Sequence, residues 1–126
     1  MNREILFRGK DKTGEWVYGD LTQNHGDIKA RIEHYIRQNS GGELKFSSAV
    51  DPETVGQFTG LLDCNKKKIF EGDIVRDDHG DIDRIIFERG AFDCDWMLDR
   101  STLGYEHEVL EVIGNIFDNP ELKEAL

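Results

Sequence analysis

The chain has 126 residues, 37% of them apolar and 33% charged, with 13 glycines and only 2 prolines. That is one ordinary domain's worth of chain (1–126), and the mix excludes collagen, a disulfide scaffold and wholesale disorder. The net charge of −10 is uneven: residues 1–50 carry 8 basic and 7 acidic side chains, residues 51–126 carry 8 and 19. A phosphate backbone is repelled by such a field, so direct nucleic-acid binding is disfavoured. No apolar run approaches the roughly 20 residues that span a bilayer, and Met1-Asn2-Arg3-Glu4 does not open a signal peptide. A cytoplasmic protein without membrane association is expected.

In chain order, Glu4 to Arg8 and Trp16 to Tyr18 read as strands joined by a tight turn, Asp11-Lys12-Thr13-Gly14. Residues 28–37 could be a helix, with Ile28, Ile32, Tyr35 and Ile36 on one side. They also alternate strictly, Ile28, Ala30, Ile32, His34 and Ile36 against Lys29, Arg31, Glu33, Tyr35 and Arg37, and are read as a strand. Leu44-Lys45-Phe46 is a short strand. Asp51-Pro52-Glu53-Thr54 places a proline just after a capping Asp and predicts a single helical turn. Gln57 to Leu61 and Lys68 to Phe70 form a hairpin around Asp63-Cys64-Asn65. Ile74 to Arg76 and Ile82 to Phe87 flank the turn Asp77-Asp78-His79-Gly80. Cys94 to Leu98 and Val109 to Phe117 are the last strands, and Asn119-Pro120-Glu121 opens a short helix. Many short strands and little helix predict a mainly β fold, a small SH3-like barrel of antiparallel hairpins with a short C-terminal helix.

An internal repeat sharpens this reading. With small gaps, residues 7–28 align with 58–82, matching Phe7, Gly9, Asp11, Gly19, Asp20 and the run His25-Gly26-Asp27-Ile28. Turn chemistry reuses Gly and Asp on its own account. Duplication is nonetheless favoured here, because His-Gly-Asp-Ile is hard to attribute to turns.

The run Val50-Asp51-Pro52-Glu53-Thr54-Val55-Gly56-Gln57-Phe58-Thr59-Gly60-Leu61 resembles the central signature of the YopX family of phage and prophage proteins. Ile69-Phe70-Glu71-Gly72-Asp73-Ile74-Val75 continues it. Arg3 to Gly9 and Trp16 to Leu21 resemble the family's N-terminal block, and Val112 to Leu122 its C-terminal block. One position departs: the family usually has an Asn-Gly turn, whereas here Asn65 is followed by Lys66. The resemblance implies an SH3-like small barrel in a protein made inside a bacterial host by a mobile element. It carries over no reaction and no catalytic or ligand residue.

Chemistry-bearing motifs are sparse. Asp77 to Asp83 clusters carboxylates and an imidazole but fails the EF-hand spacing, since position 1 would be Val75. A solvated turn is the better account, and no metal or other cofactor is expected. Cys64 and Cys94 lack CxxC spacing and read as free thiols. No Gly-x-Ser-x-Gly elbow or phosphate-cradling loop is present, and His25, His34, His79 and His107 are scattered. Lys66-Lys67-Lys68 reads as a solvated loop. The acidic pair Asp93/Asp95, with Trp96 and Asp99, is the best candidate for an interaction surface, an aromatic anchor in a charged rim. The function expected is a non-enzymatic protein-binding or accessory module, able to form a homo-oligomer through exposed sheet edges. The alternatives are an acidic decoy of a host nucleic-acid-binding enzyme, and an enzyme with an unassigned carboxylate or Cys/His site.

Overall fold

The computed structural model describes residues 4–24, 33–40, 43–88, 90–94 and 107–126. It is mainly β and antiparallel, with one short helix near the C-terminus. The chain divides into two units, Met1–Gln57 and Phe58–Leu126.

In the first unit, β1 (Phe7–Lys10), β2 (Trp16–Asn24), β3 (Glu33–Ser40) and β4 (Glu43–Val50) form a meander, and the first residues of β5 (Gly56–Leu62) pair with β1. Residues 33–37 are strand, which decides the helix-or-strand ambiguity there; 28–32 lie outside the described residues. Ile36 is fully buried with Val17 and Val50, and Phe7, Leu21 and Val55 pack against them. Gly9 lets this core close tightly: a Cβ there would stand 3.0 Å from Val50 Cβ, so Val50 would have to give way by a few tenths of an ångström. On β1 and β2, the Arg8 guanidinium lies 4.5 Å and the Lys10 ammonium 5.3 Å from the Trp16 ring centre. The ring is therefore engaged by cations of its own sheet. The expected helical turn is a 3-10 turn, Pro52–Thr54, capped by the Asp51 carboxylate accepting from Glu53 N at 3.0 Å.

In the second unit, the rest of β5 pairs with β6 (Lys68–Phe70), and β7 (Asp73–Arg76), β8 (Ile82–Glu88), β9 (Ala91–Cys94) and β10 (Glu111–Asn115) form a sheet in the order β10-β7-β8-β9. Both contribute to one core: Ile69, Val75, Ile85, Cys94 and Leu110, with Leu61, Phe92 and Val112 against it. Among the described residues the pairings make open sheets, and none closes a sheet on itself as the expected barrel would.

The hairpin turns share one geometry. In Asp11–Glu15, Asp63–Lys67 and Asp77–Asp81 the first residue's N–H donates to the fifth residue's carbonyl, and its carbonyl accepts from the fourth residue's N–H. In each, the Asp Oδ1 also accepts from the third and fifth N–H groups, at 2.8 to 3.1 Å. The fourth residue has positive φ: Gly14 at 84°, Gly80 at 89° and Lys66 at 65°. Aligned segments 7–18 and 58–70 thus share a hairpin, but the likeness ends there. Gly19-Asp20 continues inside β2, whereas Gly72 makes a turn at φ 90° before β7. The match of Asp11 to Asp63 is accounted for by the turn, because Asp77 builds the same turn at a position the alignment pairs with no Asp. His25 to Ile28, the part of the repeat hardest to assign to turns, lies outside the described residues.

The C-terminal block closes the second unit. Asn115 Oδ1 accepts from Phe117 N and Asp118 N, its Nδ2 donates to Asp118 Oδ2, and its N–H donates to Asn119 Oδ1. Asn119 thereby faces back to β10 instead of capping helix α1 (Pro120–Glu124). A Cβ at Gly114 would run into the Asn119 side chain, so any larger residue there displaces the group that accepts from Asn115 N.

Candidate functional site

Turn Asp63–Lys67 differs from its two counterparts in what it is tied to. Asp63 is 3% exposed. Its Oδ1 serves the turn, while Oδ2 accepts from Val112 N on β10 at 2.9 Å. Cys64 N donates to Leu110 O at 2.8 Å. Carboxylate and backbone together pin the turn to the segment entering β10. Asp77 uses its Oδ1 only within its own solvent-facing loop. At Asp11, exposed hydrogen bonds from Thr13 Oγ1 and then from Glu15 N hold the carboxyl below the ordinary value of 3.8.

Beside the pinned turn is a cavity of about 440 Å³, lined by Gly60, Leu61, Leu62, Asp63, Cys64, Lys66, His107 and Glu108. That volume is in the range of small-molecule sites. The 3-10 turn His107–Val109 forms one wall. His107 Nδ1 lies 2.7 Å from Leu62 O. A carbonyl only accepts, so Nδ1 carries the proton and, in the neutral ring, Nε2 is the basic position. Cys64 is an exposed thiol and Cys94 a buried one.

A second feature lies on the β8–β9 hairpin. Phe87 and Phe92 face each other across the ladder, with ring centres 4.9 Å apart. Ile85 and Cys94, the next pair on that face, are buried, whereas Phe87 is 52% exposed. The apolar face therefore outruns the core at the hairpin's tip.

Of the residues expected to form an interaction surface, Asp93 sits in β9 opposite Ile86. Asp95, Trp96 and Asp99 lie outside the described residues. The acidic loop 77–83 is a turn: His79 Nε2 and Asp78 Oδ1 are 3.8 Å apart and both side chains are largely exposed. Among the described residues no group of three or more His, Cys, Asp or Glu is placed to hold a metal. Among them too, no helix is long and apolar enough to cross a membrane. The proximity of Cys64 to His107 and Glu108 was not readable from spacing, because β10 and its approach come back beside a turn 43 residues earlier.

The family model of the YopX protein matches residues 6–124. The chain belongs to the YopX family. Within the matched residues lie the Asp51 cap, the Asp63 turn, the Gly72 turn and the Gly114–Asn119 clasp. The crystal structure of protein EF1440 from Enterococcus faecalis is similar, with 26% identity and a TM-score of 0.57 over 96% of this chain and 99% of that one. A search of curated proteins gives no match.

Proposed function

We propose that this YopX family member is a non-enzymatic protein-binding module, and that the β8–β9 hairpin is its contact surface. The supporting observation is the half-exposed Phe87 packed at a tilt against Phe92 where the apolar face leaves the core. Aromatic anchors of this kind dominate binding energy when a partner desolvates them. Charge selects the kind of partner. Between Glu71 and Asp99 there are 10 acidic and 3 basic side chains. The chain's net charge of −10 repels a second copy and attracts a basic protein surface. Among the described residues β9 is the last strand of its sheet, a position at which an extended partner segment would add. The family match runs through both units, which supports one YopX-like domain over 1–126. A phage origin, a cytoplasmic location and an SH3-like course of the strands belong to this same reading.

The test is a photo-cross-linker placed at the exposed Glu88 of the full chain, used in bacterial extract. Expected are cross-links to Lys/Arg-rich segments that fade with salt and disappear in Phe87→Ser. Cross-links indifferent to Phe87 and to salt refute the surface. A Phe87-dependent dimer in light scattering refutes the basic partner in favour of self-association.

A further inference from the structure

The Asp63–Lys67 turn and its cavity carry an inference separate from the binding surface. We propose that Cys64 is a modification site that forms a mixed disulfide with a low-molecular-weight, zwitterionic disulfide of the glutathione type. The cavity holds the thiol, an imidazole, an ammonium and a carboxylate around a floor of Gly60, Leu61 and Leu62. Each has a role that the arrangement supports. Lys66 pairs with a carboxylate of the ligand, and Glu108 with its ammonium. His107, its Nδ1 committed to Leu62 O at 2.7 Å, has Nε2 to take a proton. Cys64 is exposed, and its backbone is fixed by the bond from its N–H to Leu110 O.

The reaction balances without an external oxidant, because the ligand itself is the disulfide. The Cys64 thiol gives its proton to His107. Its sulfur bonds to one sulfur of the ligand, and the ligand's S–S bond breaks. The departing thiolate collects the proton from His107. One thiol and one disulfide become one mixed disulfide and one thiol.

Lys66 is the only non-glycine with positive φ among the described residues, 65°, at a position where the two sister turns have glycine. A left-handed lysine is less stable than glycine, so replacing it by glycine leaves the turn at least as stable while removing the ammonium.

The experiment measures, by intact mass, the rate at which the native chain forms adducts with oxidised glutathione and with the neutral bis(2-hydroxyethyl) disulfide. Each rate is divided by that of the urea-unfolded chain. The expected result is one adduct, at Cys64 and not at the buried Cys94, with a preference of about tenfold for oxidised glutathione. Lys66→Gly, which leaves the fold at least as stable, removes the preference. His107→Asn keeps a donor for Leu62 O and slows both reagents without changing their ratio. Equal corrected rates for the two disulfides, a preference that survives Lys66→Gly, or an adduct that persists in Cys64→Ser each overturn the proposal.

Discussion

Replacing Asp63 by Asn tests whether the pinned turn holds the second unit together. The change keeps size and one acceptor oxygen, so the Oδ1 bonds from Asn65 N and Lys67 N, both 2.8 Å, can remain. At the other position an NH₂ replaces the oxygen that accepts from Val112 N at 2.9 Å. Two donors then face each other at a side chain only 3% exposed, where water cannot step in. A hydrogen bond to a charged acceptor contributes about 1.5–3 kcal/mol, and an unsatisfied buried N–H costs about 1–3. The two overlap, because they describe the same bond, and the expected loss is about 2–4 kcal/mol. For a chain of this size that lowers the midpoint of thermal unfolding by roughly 10 °C. Asp77→Asn is the control, since its Oδ1 bonds stay within an exposed loop, and it should cost under about 1 kcal/mol. Urea unfolding of the two variants, with amide hydrogen exchange at Val112, measures the difference. Equal losses for Asp63→Asn and Asp77→Asn, or unchanged protection at Val112, would refute the reasoning.

Lys66→Gly relieves a left-handed residue at a gain of about 1–2 kcal/mol and gives back about 0.5–1 in chain entropy, so a net stabilisation of about 0.5–1 kcal/mol is expected in urea titration. Gly80→Lys, at the equivalent position of the Asp77 turn, should cost a similar amount. Gly114→Ala drives a methyl into Asn119 Oδ1 and should destabilise by about 1–3 kcal/mol, with faster exchange of the Asn115 and Ile116 amides. Thr13→Ala removes the largest cause of the lowered Asp11 value, so its carboxyl should titrate closer to 3.8 by NMR. Because the folded-state value lies below the unfolded one, Asp11 adds its stability above 3.8, and that stability is lost as pH falls through the lowered value. The Thr13 variant should lose less on acidification than the native chain.

Most strands were readable, because period-2 patterning and Gly/Asp turns act locally. The exceptions are β9, which ends at Cys94 where the expected strand 94–98 begins (95–98 lie outside the described residues), and Val109, which is in a 3-10 turn before β10. Ile82 to Phe87 and the Asp51 cap lie where pattern and capping put them, and Pro120 opens the last helix although Asn119 does not cap it. Sheet closure was not readable: whether edges meet depends on bulges such as those in β5 and β10, which leave no period in the sequence. The duplication was over-read for a similar reason. One Asp-led turn used at Asp11, Asp63 and Asp77 produces identities without a shared path. The cavity was invisible because Cys64 and His107 come to line it through non-local pairing, and Phe87 shares its alternation with Ile85, so no local signal tells that Ile85 is buried and Phe87 half exposed.

The order β10-β7-β8-β9 has a kinetic consequence. β7 is translated well before its second neighbour, since Arg76 meets Glu111 35 residues later. During synthesis β7 can zip onto β8 at once, yet its far side stays bare until the segment after Leu110 leaves the ribosome. The second unit must therefore complete itself late. A ribosome stalled in that interval would hold a nascent chain with a sticky flank, a substrate for holding chaperones or for coaggregation with its neighbours on the same message.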